Sequence, residues 1–135
     1  MKGVFLNISN HLATKWDKKQ VDAAYNLFPK IFTDVQIIDI PFPNIDPYWT
    51  TVNLKDQAEQ FYIACTSTNN IWNLTKPDLT IFHVMGEMGF TYNLIECIKA
   101  YQTKEIYHST TERIVSVDSQ GNKVVTFNFV QFRRY

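Results

Sequence analysis

The chain predicts an α/β fold: a mostly parallel sheet between two layers of helices, closed by a C-terminal β-hairpin. Three observations predict it. Short apolar runs of strand type alternate with helical patterns along most of the sequence. The resulting order, β-α-β-α-β-α-β, implies parallel strands joined by right-handed crossovers with helices on both faces. Beyond Arg113 the texture changes to two β-rich runs around a turn. At 135 residues the chain is expected to form one domain over residues 1–135.

Each element has its own signature. Val4-Phe5-Leu6-Asn7-Ile8-Ser9 is an apolar run typical of a strand buried on both faces, and Ser9-Asn10-His11 breaks it. A helix is expected from about Asp17 to Phe28, with Val21, Ala24, Tyr25 and Phe28 inward, Thr14 or Asp17 as cap, and Pro29 at its end. Residues Asp34 to Ile40 read as a second strand, stopped by the three prolines of the Pro41–Pro47 stretch. A second helix is expected from Leu54 to about Thr66, with Ala58, Phe61, Tyr62 and Cys65 inward. The polar stretch Thr66–Asn70 and a connection through Trp72 and Pro77 follow. Strand residues then run from Leu79, and a helix opening at Thr91 carries Leu94, Ile95, Ile98 and Tyr101 on one face. Glu105–His108 reads as a short strand ending at Ser109-Thr110-Thr111. Residues Ile114–Val117 and Val124–Val130 flank Ser119-Gln120-Gly121-Asn122, a hairpin turn signal.

Composition narrows the function. Forty-five per cent hydrophobic residues, with ten Phe, seven Tyr and three Trp, fit a packed globular core. Thirteen basic against thirteen acidic residues argue against long nucleic acid or an anionic membrane surface as partner. No apolar run reaches the ~18 residues of a membrane span, and the N-terminal residues read as a strand rather than a signal peptide. A cytoplasmic location is therefore expected. Cys65 and Cys97 lack the spacing of a metal site or disulfide framework.

The stretch from Leu79 to Thr91 is the organising feature. A strand runs into Gly86-Glu87-Met88-Gly89 and then a helix, the arrangement that builds sites at the carboxyl end of a strand. Gly86 and Gly89 are expected to allow positive φ and close approach of a ligand to the backbone. The helix start suits a phosphate or carboxylate, or it is simply a strand turning into a helix. In a parallel sheet the carboxyl ends share one rim, so Ser9-Asn10-His11, the Gly86–Gly89 turn and Ser109–Arg113 should converge there.

On that rim, His11 and Lys15 are candidate donors to a phosphate, and His11 a candidate acid or base; a solvated loop histidine is the alternative. Glu87 either caps the helix or contacts a nucleotide base or ribose. Ser109, Thr110 and Thr111 offer hydroxyls, and Arg113 a charged fork. His83, inside an apolar strand, reads as a satisfied core residue. No nucleophile elbow, Walker loop, zinc-protease motif or paired-cysteine site occurs. A Ser-His-acid triad has no local signature here.

Three pieces together resemble small CRISPR-associated proteins of the CARF (CRISPR-associated Rossmann fold) type, especially stand-alone ring nucleases. They are Met85-Gly86-Glu87-Met88-Gly89-Phe90-Thr91-Tyr92, Tyr107-His108-Ser109-Thr110-Thr111-Glu112-Arg113, and Phe129-Val130-Gln131-Phe132-Arg133-Arg134-Tyr135. Ser9-Asn10-His11 looks like that family's first ligand loop. The resemblance implies a Rossmann-like three-layer sandwich and a homodimer that binds cyclic oligoadenylate, cyclic tetra-adenylate favoured, in type III CRISPR antiviral defence. It further implies ring cleavage by attack of a ribose 2′-OH, without metal or cofactor. Carried over by position, Ser9, Asn10, Gly86, Glu87, Met88, Gly89, Thr91, Ser109, Thr110 and Thr111 would bind the ligand. His11, Lys15 and Arg113 would supply acid catalysis or charge stabilisation. Many CARF sites carry a lysine or arginine beside the glycine loop, where this chain has Met88 and Phe90. A sensor or sink without catalysis, and an unrelated small α/β module binding another nucleotide or a protein, are the alternatives.

Overall fold

A computed structural model describes residues 1–67 and 76–135. The connection expected around Asn69, Asn70 and Trp72 lies outside the described residues. Five strands form one sheet in the order β2-β1-β3-β4-β5: β1 is Lys2–Ser9, β2 Asp34–Pro41, β3 Leu79–Val84, β4 Ile106–Val117 and β5 Lys123–Arg134. The first three pairings, β1 with β2, β1 with β3 and β3 with β4, are parallel, and β4 with β5 is antiparallel. The chain is thus a Rossmann-like α/β sandwich, as its pattern of elements predicts.

Helix α1, Lys18–Asn26, covers one face; α2, Thr51–Thr66, and α3, Met88–Tyr101, cover the other. Asp17 caps α1 by accepting from Gln20 N at 2.9 Å. Thr50 opens α2 three residues before the expected start, in a reciprocal pair with Asn53 that satisfies two orphan backbone donors. On the α1 face Phe5, Ala24, Phe28, Ile81, Phe129 and Phe132 form one core; on the other Leu6, Ile8, Ala58, Phe82, Phe90, Leu94 and Ile98 form the second. Tyr25 and Tyr101, expected inward, are exposed; Tyr101 instead stacks on Tyr62 at the surface. Phe90, 1% exposed, packs edge-on against Phe42 and Phe61.

The main departure from the expected pattern lies beyond Glu105. The short strand and the first arm of the hairpin are one strand, β4, running through Ser109-Thr110-Thr111 without a break. Small polar residues there do not end a strand, because β5 supplies a full ladder of partners. A bulge between the Thr110–Gln131 and Thr111–Phe129 pairs leaves Val130 unpaired. It shifts the alternation by one residue, so that Phe132 and Phe129, at odd spacing, both reach the α1 core. At the hairpin turn Asp118 Oδ1 accepts from Gln120 N and Asn122 N, and Gly121 takes φ 83°.

Candidate functional site

The strand order reverses direction between β1 and β3. In an open α/β sheet a crevice forms outside the carboxyl ends at such a switch point. Here the crevice is a cleft of about 680 Å³ on the α1 face, and Ser9, Asn10, His11, Lys15, Gly86, Ser109 and Thr111 all line it. Trp16 and Asp17 just ahead of α1 and Gln20 within it, with Phe127 and Phe129 from β5, form the opposite walls. A second cleft of about 490 Å³ lies across the Met85–Gly86 turn on the α3 face; Met88 and Thr91 line that one, with Tyr92, Lys99 and His108.

The expected rim is therefore split by the sheet. Arg113, Thr110, Glu87 and Gly89 lie outside both linings. Arg113 sits two positions beyond Thr111 on β4, paired with Phe127, because the strand carries it away from the rim. Thr110 faces the other side and donates to the Gln131 carbonyl.

The turn before α3 also differs from the expected glycine cradle. Among the glycines only Gly121 takes a positive φ, so neither Gly86 nor Gly89 is there for left-handed backbone. Gly86 is required by proximity: a Cβ would lie 2.3 Å from the Phe42 ring. The first donors of α3 are already occupied, since the Glu87 carboxylate accepts from Gly89 N at 2.6 Å and Phe90 N at 2.9 Å. The helix start thus holds its own anion, which removes the strongest argument for an external one at that point.

A row of hydrogen-bonded polar side chains runs behind the first cleft and reaches it at His83 and Ser109. Asp39, Asn7 and His83 stand at one register across β2, β1 and β3. Asn7 Nδ2 donates to Asp39 Oδ1 and to the His11 carbonyl, each at 2.8 Å. Asn7 Oδ1 lies 2.8 Å from His83 Nδ1, and His83 Nε2 lies 2.8 Å from Ser109 Oγ. Gln20 Nε2 donates to the same Ser109 oxygen at 3.1 Å. His83 is thus satisfied, as expected of a core residue, yet it also lines the cleft. It packs against Phe5, Trp16 and Phe132. Burial, with a smaller contribution from His108, pushes its pKa down to about 3, so the imidazole is neutral near pH 7. The sequence signal for this row was a single polar residue late in each of three apolar strands.

Ser9 and the main chain of His11 complete the loop. Ser9 Oγ accepts from His11 N and stands 2.8 Å from Asn7 Oδ1. The backbone of His11 is therefore held while its exposed side chain faces the cleft. Among the described residues no group of three or more His, Cys, Asp or Glu side chains is placed to hold a metal ion. No described helix is long and apolar enough to cross a membrane.

A family model described as the uncharacterized protein MJ1673 family matches residues 3–133. The chain belongs to that family. Since the match spans nearly all of both helical layers and the hairpin, the MJ1673 family domain includes every residue of the first cleft. Comparison with curated proteins and with solved structures finds no match.

Proposed function

We propose that this MJ1673 family protein binds a cyclic oligoadenylate at the carboxyl rim and opens the ring without metal, as a component of type III CRISPR antiviral defence. The observation that carries the reading is the cleft at the switch point. Ser9, Asn10, His11, Gly86, Ser109 and Thr111, drawn from the motifs that resemble CARF proteins, lie around one space within the ~300–1,000 Å³ range of small-molecule sites. Its polar groups are of the kind that hold ribose and phosphate, with Lys15 as the ammonium. In the proposed reaction the ribose 2′-OH attacks the adjacent phosphorus in line, and the 5′ oxygen leaves with a proton. Positioning and charge stabilisation then supply the catalysis, His11 and Lys15 being the side chains nearest that task by their place on the rim.

A homodimer belongs to the same proposal. The β4–β5 arm runs beyond the parallel sheet and exposes Val115, Val117, Val125 and Phe127 on one face. A two-stranded hairpin is barely stable alone in water, and a contiguous apolar patch of this kind marks an interaction surface. A second copy related by a two-fold axis would cover it and bring two clefts to one symmetric ring. Phe127 belongs to both the patch and the cleft wall, which links the two features.

Incubation of the purified protein with cyclic tri-, tetra- and hexa-adenylate in EDTA, with a parallel binding titration, tests the proposal. Linear products ending in 2′,3′-cyclic phosphate are expected. Tight binding with intact ligand would make the protein a sensor or sink. Neither binding nor cleavage would overturn the ligand assignment.

A further inference from the structure

The hydrogen-bonded row under the cleft allows its protons to be assigned. Asn7 Nδ2 spends both N–H bonds on Asp39 Oδ1 and the His11 carbonyl. The amide oxygen is therefore the atom turned toward His83 Nδ1. An amide oxygen only accepts, so Nδ1 carries the ring proton and Nε2 carries the lone pair. Ser109 Oγ, 2.8 Å from Nε2, must then be the donor in that pair. Its oxygen accepts from Gln20 Nε2, which leaves one lone pair for the cleft. Hydroxyl, imidazole and orienting group thus stand in the order used by serine nucleophiles.

We propose that Ser109 is a nucleophile toward a phosphate ester held in the first cleft, with His83 as its base and Asn7 holding the ring in the required tautomer. Both Ser109 and His83 line the cleft, so the hydroxyl is open to a ligand while the base stays shielded behind it. His83 is 2% exposed and clamped between Phe5, Trp16 and Phe132, which fixes its direction. Burial keeps it neutral at rest, so Nε2 holds its lone pair, and the ring takes a proton only as negative charge develops beside it on the phosphoryl oxygens.

The step balances without any further reactant. The Ser109 proton passes to His83 Nε2 as the Oγ–P bond forms. The bond from phosphorus to the ester's leaving oxygen breaks, and that oxygen takes the proton from His83. Water then repeats the sequence to release the phosphoryl group from Ser109. Lys15, on the same cleft, offsets charge on the phosphoryl oxygens. The role concerns phosphate esters with no 2′-OH in line with the phosphorus, so it stands or falls independently of the cyclic ligand.

The test is reaction of the full chain with a biotinylated fluorophosphonate, whose fluoride leaves when Oγ–P forms. Intact mass and peptide mapping are expected to show one adduct, on Ser109, with Ser9, Ser67, Ser116 and Ser119 unmodified. Ser109→Ala should abolish it, and His83→Gln should slow it roughly 100-fold. If His83→Gln fails to fold, urea-unfolded wild type takes its place: labelling must vanish on unfolding and return on refolding. No adduct, an adduct that survives Ser109→Ala, or an equal rate in folded His83→Gln would overturn the proposal.

Discussion

His83 shows how one residue ties stability to the site. Its pKa lies near 6.5 in the unfolded chain and about 3 in the fold. Between those values the unfolded state binds a proton that the folded state refuses. The stabilisation is therefore full above pH 6.5 and is lost as pH falls toward 3. Between pH 7 and pH 4.5 this one group should cost roughly 2–3 kcal/mol. Urea unfolding at the two pH values should show wild type losing that much more stability than His83→Gln; equal losses would place the charged form of His83 inside the fold. Gly86 is the second residue of note. With a Cβ 2.3 Å from the Phe42 ring, Gly86→Ala must displace a ring that packs on Phe90. It should cost about 1–3 kcal/mol by chemical denaturation, offset in part by the roughly 0.4–1 kcal/mol that a stiffer unfolded chain contributes.

At the scale of elements, the start of α3 and the long β4 strand decide where ligand chemistry can sit. Glu87 closes the first donors of α3. Glu87→Ala should therefore lower stability by roughly 1 kcal/mol and leave affinity for a rim ligand nearly unchanged. Ligand titration beside thermal unfolding separates the two; a large loss of affinity with unchanged stability would return Glu87 to the site. The helix was legible through Leu94, Ile95 and Ile98, which are buried as their spacing implies. Its first turn was not, because the cap depends on a carboxylate folding back on its own backbone. In β4 the run Ser109-Thr110-Thr111 resembled a strand end. Only the pairing with β5 shows that it is mid-strand, and it sets Arg113 opposite Phe127, at the edge of the cleft and outside its lining.

For the whole molecule, the β4–β5 arm is the feature on which the proposed dimer rests. Phe127 is 64% exposed and Val117 70%, high values for large apolar side chains in a regular strand. Under the proposed homodimer, Val117→Lys and Phe127→Lys should each give a monomer in light scattering without altering the circular dichroism. A wild type that is already monomeric at high concentration would remove the symmetric-ring arrangement. Phe127→Lys should in addition weaken ligand binding, since that ring also walls the cleft.

By itself, the sequence determined the fold class, the alternation of elements, the hairpin and the rim on which Ser9, Gly86 and Ser109 meet. These follow from periodicity and turn chemistry, which are local. The tertiary structure alone decided that Asp39, Asn7 and His83 share one register, that His83 faces Ser109, and that α1 brings Gln20 to the same hydroxyl. The reason is physical: a lone polar residue in an apolar strand has no assignable partner until neighbouring strands fix its register, and the residues that satisfy it here come from 76 and 26 positions away.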